Sequence, residues 1–135
     1  MSMSGSCLCG SVKFIAEDVE TDIQSCHCGM CRKWSGASAL AASVGSISFT
    51  GAEHISRYNS SAWAERGFCV KCGTNLFYRL KETDHYVMWT GAFDDQSVFK
   101  LVGEIFIDEK PDGYDFSGDH PRLTGAEFMA SLQNT

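Results

Sequence analysis

The chain has 135 residues, 44% of them hydrophobic and 21% charged. That is the size and balance of one ordinary globular domain, read here as spanning residues 1–135, and it is long enough to bury about two-thirds of its unfolded surface. A net charge of −6 without a lysine or arginine cluster argues against nucleic acid and anionic membrane as partners. The first ten residues lack the basic and apolar stretches of a secretory signal, and no apolar run approaches membrane-spanning length. The expectation is a cytoplasmic protein whose cysteines stay reduced.

In chain order, Cys7-Leu8-Cys9-Gly10 comes first, and residues 12–16 alternate as a strand leaving it. Acidic residues Glu17, Asp18, Glu20 and Asp22 read as a solvated turn. Residues 23–26 lead into Cys26-His27-Cys28-Gly29-Met30-Cys31-Arg32, and the small residues of 35–44 predict a tightly packed strand beside it. Residues 47–50 and 55–58 alternate with period two around Gly51 and predict a hairpin. Residues 62–68 run into Cys69-Val70-Lys71-Cys72-Gly73, and two strands, 75–80 and 85–90, flank the polar turn 82–84. Residues 91–95 read as a loop, 98–101 and 104–107 as one or two last strands, and 111–115 as turns. Thr124-Gly125-Ala126-Glu127 has the form of a capping box and predicts a short helix from about 126 to 132. Many short strands with frequent turn signals make the expected fold class mainly β.

The cysteines carry the chemistry. Cys26, Cys28 and Cys31 fall within six residues, and bridging Cys26 to Cys28 would strain a disulfide. Three thiolates converging on one cation is the easier arrangement, and Gly29 could supply a positive φ where the chain turns around it. Three ligands are one fewer than zinc's preferred four, which is the composition of a catalytic site with an open position. The pairs Cys7/Cys9 and Cys69/Cys72 together make a four-thiolate set, the composition of a structural zinc. Two zincs would use all seven cysteines. An odd count argues against a disulfide framework, while one zinc plus redox-active thiols stays open as an alternative.

A zinc bearing three thiolates is near −1 in formal charge and suits a soft fourth ligand, such as a substrate thiol, better than hydroxide. Arg32 could offset that charge or hold a substrate carboxylate, or be an ordinary surface cation. Lys33 reads as solvated. His27 lies between two ligands and is read as pointing away from the metal, either as a hydrogen-bonding support or as a packed core residue. His54, His85 and His120 are isolated in sequence and read as surface or core, and Trp34 is close enough to wall the site.

The stretches G-S-C-L-C-G-S-V-K-F, C-H-C-G-M-C-R-K-W-S-G and F-C-V-K-C-G-T-N-L, in that order, resemble the glutathione-dependent formaldehyde-activating enzyme family, which includes the centromere-protein-V-like proteins. The resemblance runs from about Gly5 to Leu80 and more loosely beyond. It implies an Mss4-like fold of β-sheets held by zinc. It also implies structural zinc on Cys7, Cys9, Cys69 and Cys72, and catalytic zinc on Cys26, Cys28 and Cys31. The activity implied is carbon–sulfur lyase chemistry joining glutathione's thiol to formaldehyde as S-hydroxymethylglutathione, and the reverse.

Two further readings belong to other classes. One is a non-catalytic zinc module that binds a protein partner, as Mss4 relatives do. The other is a thiol redox switch, which would need Cys28 and Cys31 metal-free and of low pKa.

Overall fold

The computed structural model describes residues 2–133. In chain order the strands are β1 (Met3–Ser6), β2 (Lys13–Glu17), β3 (Asp22–Cys26), β4 (Ala39–Ser43), β5 (Ser46–Thr50) and β6 (Ile55–Asn59). They continue with β7 (Ala64–Cys69), β8 (Asn75–Leu80), β9 (His85–Trp89), β10 (Lys100–Ile105) and β11 (Arg122–Leu123). Helix α1 (Gly29–Ser35) follows β3, and helix α2 (Gly125–Gln133) closes the chain. The mainly β expectation holds. No described helix is long and apolar enough to cross a membrane.

The chain groups into two compact units, one built from residues up to Thr21 with Ala41–Phe99, the other from Asp22–Leu40 with residues from Lys100 onward. In the first unit β2 lies between β1 and β5, antiparallel to both. A second antiparallel set runs β6-β7-β8-β9, with the end of β4 (Ala41 to Ser43) on β9. Period-two alternation explains the first set: in β2, Phe14 and Ala16 are buried while Lys13, Ile15 and Glu17 are exposed. Phe14 packs edge-on against Phe93 at 5.2 Å, and Phe49 of β5 meets Phe77 of β8 at 5.7 Å. Phe77 in turn meets Tyr86 of β9 at 4.9 Å. Each such pair adds about 1 kcal/mol beyond the area it buries.

The residues expected to form a hairpin, 47–50 and 55–58, are both strands but are not partners. β5 pairs with β2, and β6 pairs with β7. Alternation marks a strand and a buried face; it does not select the neighbour.

In the second unit β10 runs parallel to both β3 and β11. The expected segments 98–101 and 104–107 meet in this one strand, which is shorter than expected: Val98 lies in a turn and Ile107 opens a short 3-10 helix, and the register shifts between Leu101 and Gly103. The capping box at Thr124 forms as expected. Thr124 N–H donates to Glu127 Oε1 at 2.9 Å, and Glu127 N–H donates to Thr124 Oγ1 at 3.1 Å. Hydrogen bonds to its carboxylate from the Thr124 backbone N–H and, after it, the Thr124 hydroxyl lower the Glu127 pKa below the usual glutamate value.

Candidate metal centres

The four-thiol cluster belongs to the first unit. Cys7 and Cys9 lie just beyond β1, Cys69 ends β7, and Cys72 sits in the turn to β8. Each pair is folded back by a glycine in the left-handed region, Gly10 at φ 81° and Gly73 at φ 79°. Gly10 N–H reaches the Cys7 carbonyl at 3.2 Å, and Gly73 N–H reaches that of Cys69 at 2.8 Å. Thr74 ties the two turns together by accepting from the Leu8 N–H at 3.0 Å.

The four sulfurs lie within 4.8 Å of one another. Cys7 Sγ is 3.6 Å from Cys9 Sγ, which is 3.9 Å from Cys69 Sγ. All seven cysteines are free thiols. A tetrahedron with zinc–sulfur bonds of about 2.3 Å has sulfur–sulfur edges of about 3.8 Å, so these separations match a shared cation, whereas a disulfide needs about 2.05 Å. Hydrogen bonds already favour thiolate at two positions. Thr74's hydroxyl, 3.1 Å away, is the main cause lowering Cys72 to about 5, and Ser11's, at 3.2 Å, lowers Cys9. Burial pushes the Cys69 thiol up.

The three-thiol cluster belongs to the second unit and grows out of a single strand. Along β3 and its continuation Ile23, Ser25 and His27 are buried, while Asp22, Gln24, Cys26 and Cys28 are more open. Alternation therefore sends Cys26 and Cys28 to one face and His27 to the other. Cys28, at φ −61° and ψ 153°, caps α1, and its sulfur accepts from Cys31 N–H at 3.4 Å. One helical turn then brings Cys31 onto the face of Cys28, and the three sulfurs fall within 4.8 Å of one another. Among the described residues no His, Cys, Asp or Glu joins these three as a fourth.

Gly29 does not take the positive φ expected of it. It is the first residue of α1, and the left-handed residue is Gly36 at the helix C-terminus, φ 87°. The thiols perturb one another in opposite directions. Hydrogen bonds from Cys26, then Cys31, lower Cys28 far below the usual thiol range, and the bond to Cys28 is the largest cause raising Cys26. One thiolate is welcome here, but further ionisation needs a cation.

His27 is fully buried and is part of a side-chain network. Its Nε2 is 2.7 Å from Glu104 Oε1, and its Nδ1 is 3.2 Å from the Tyr114 hydroxyl. His120, isolated in sequence, is not isolated in space: its Nε2 is 2.6 Å from Glu104 Oε2, which Arg122 Nε also approaches at 2.9 Å. Burial raises the Glu104 pKa, but the bonds from His120 and His27 and the charge of Arg122 outweigh it, for a net lowering. Arg32 Nε donates to the His27 carbonyl at 2.9 Å, and Glu109 Oε1 accepts from Gly29 N–H at 3.0 Å. Glu104 carried no sequence signal, because 77 positions separate it from His27 and only the parallel β3–β10 pairing brings them together.

Residues 2–109 match the family described as glutathione-dependent formaldehyde-activating enzyme. The chain belongs to that family. A Schizosaccharomyces pombe protein named as an uncharacterized lyase is 32% identical over 130 residues, 95% of both chains. A putative glutathione-dependent formaldehyde-activating enzyme of Halomonas elongata is 32% identical over 87 residues, 57% of this chain and 55% of its own. A Rhodobacter sphaeroides protein of known crystal structure shares the fold at TM-score 0.57 and 23% identity, covering 89% of this chain and 99% of that one. The family match contains both cysteine clusters and Glu104, and stops short of Tyr114, His120 and Arg122.

Proposed function

We propose that this family member is a zinc-dependent carbon–sulfur lyase acting on a thiol adduct of the glutathione-plus-formaldehyde type, with residues 1–135 working as a single domain. Cys7, Cys9, Cys69 and Cys72 would hold a structural zinc, and Cys26, Cys28 and Cys31 a catalytic one. The observation that carries the reading is the convergence of three thiols without a fourth protein ligand among the described residues. Family membership and the names of the relatives support the lyase class.

The donor set fits zinc, being all sulfur and one ligand short of closure. When bound, zinc supplies a soft Lewis-acid centre that favours a thiolate partner. The residues of the chain do the rest. The three thiolates would leave one of zinc's four positions without a protein ligand among the described residues, and their summed negative charge would favour a soft sulfur donor over hydroxide. Arg32, anchored through Nε to the motif's own backbone, keeps a cation beside that charge and would meet a substrate carboxylate. His27 holds the strand from behind and takes no part as a ligand. In the reaction a sulfur–carbon bond forms between the glutathione thiol and the carbonyl carbon of formaldehyde. The thiol proton ends on the former carbonyl oxygen, and the reverse reaction undoes both changes.

The test is zinc per chain on metal-replete protein, with X-ray absorption before and after adding glutathione. Two zincs whose average coordination rises from about three and a half towards four sulfurs are expected from one closed and one open site. One zinc, or two that ignore glutathione, would overturn the reading in favour of a non-catalytic zinc module.

A further inference from the structure

The three-thiol motif is tied to a buried side-chain network through His27. Two of the three thiols flank His27, and Arg32 binds the carbonyl of the same residue. Strand alternation sends the His27 ring to the face opposite the sulfurs, where both of its nitrogens have partners. A carboxylate can only accept, so Nε2 donates its proton to Glu104, and Nδ1 shares a hydrogen bond with the Tyr114 hydroxyl. Backbone contacts add a third tie, from His27 N–H to the Ile105 carbonyl at 3.1 Å. Glu104 is itself held by His120 and Arg122 on its other oxygen and is 1% exposed. A buried carboxylate satisfied from both sides is a rigid post.

From this geometry we infer that Glu104 is a positioning residue for the three-thiol site: by clamping His27 it fixes the spacing and direction of Cys26 and Cys28 and keeps the imidazole off the open side. The inference rests on the reading of Cys26, Cys28 and Cys31 as metal ligands. Loosening such a support typically costs about 10- to 100-fold in metal affinity. The four-thiol cluster belongs to the first unit and serves as an internal control.

The experiment is zinc release from the two-zinc protein to a colorimetric chelator, followed in wild type and Glu104→Gln. Cobalt-substituted samples would report thiolate coordination through their charge-transfer absorption. The expected result is two release phases in wild type, with one phase about 10- to 100-fold faster in Glu104→Gln and the other unchanged. The cobalt band of the faster site should shift, while the far-UV spectrum is retained. Two zincs leaving a folded Glu104→Gln protein at wild-type rates would overturn the inference alone. A wild type holding one zinc would overturn the ligand reading beneath it as well. Should Glu104→Gln fail to fold, Tyr114→Phe removes only the hydroxyl at Nδ1 and should speed the same phase by a smaller factor; wild-type release from that variant would then overturn the inference.

Discussion

The two cysteine clusters are made of the same atoms but built in opposite ways. The four-thiol cluster joins chain segments about sixty residues apart, with Cys9 and Cys69 sulfurs 3.9 Å from each other, and two left-handed glycines turn its loops. The three-thiol cluster is local, three residues from one strand–helix junction braced by a buried carboxylate. Closing a long loop restrains the whole first unit, so a metal there acts on the fold. A local cluster closes almost no loop, so a metal there adds little restraint and is free to serve chemistry. On the proposed reading, distance along the chain, more than the number of sulfurs, is what would separate a cross-link from a reaction centre.

The contrast breaks most visibly at Cys69. A structural zinc contributes on the order of 10 kcal/mol to a small domain, so Cys69→Ser should abolish the cooperative unfolding transition seen by circular dichroism. Cys28→Ser, by comparison, should keep the fold, lose one zinc of two, and reduce lyase turnover by about 100-fold or more, as expected when a ligand of a reaction centre is removed. If both variants unfold, the division of labour between the clusters is wrong.

Smaller changes sharpen the same comparison. Gly36→Ala meets no atom within 4 Å, so its cost is backbone strain alone at φ 87°, about 1 kcal/mol. It should fray α1 and loosen Cys31 while leaving the four-thiol zinc in place, which thermal melts and metal counts would show together. Thr124→Ala removes the cap of α2, a helix that carries none of the seven thiols, and should cost about 1 kcal/mol by chemical denaturation without changing either zinc. The reciprocal partner adds a pH signature. Because folding lowers the Glu127 pKa, its contribution is full above the ordinary glutamate value of 4.5 and fades as pH falls through the lower folded value. Helicity of Glu127→Gln should therefore approach that of wild type on acidification, and a constant gap would contradict the capping role.

Much of this was legible in the residues. Cysteine spacing marks both clusters, because ligand chemistry needs particular atoms at short separations, and the Thr124 box marks α2 for the same local reason. Helix α1 left no periodic signal. It is seven residues long and opens on glycine, too short for a 3.6-residue repeat to show. The partners of β5 and β6 were out of reach because alternation encodes which face is buried and leaves the neighbour to the packing of the whole sheet. Glu104 and His120 look ordinary in sequence. Their role exists only once β10 lies alongside β3.

The separation between Cys9 and Cys69 also sets an order of events during biosynthesis. A polypeptide leaves the ribosome from its N-terminus, so Cys26, Cys28 and Cys31 emerge while Cys7 and Cys9 still await half of their cluster. Throughout the interval before Cys72 appears, the only complete set of sulfur donors on the nascent chain is the open one. In a cell short of zinc, the chain would meet its first ion at the site proposed for chemistry, before the site proposed for architecture exists.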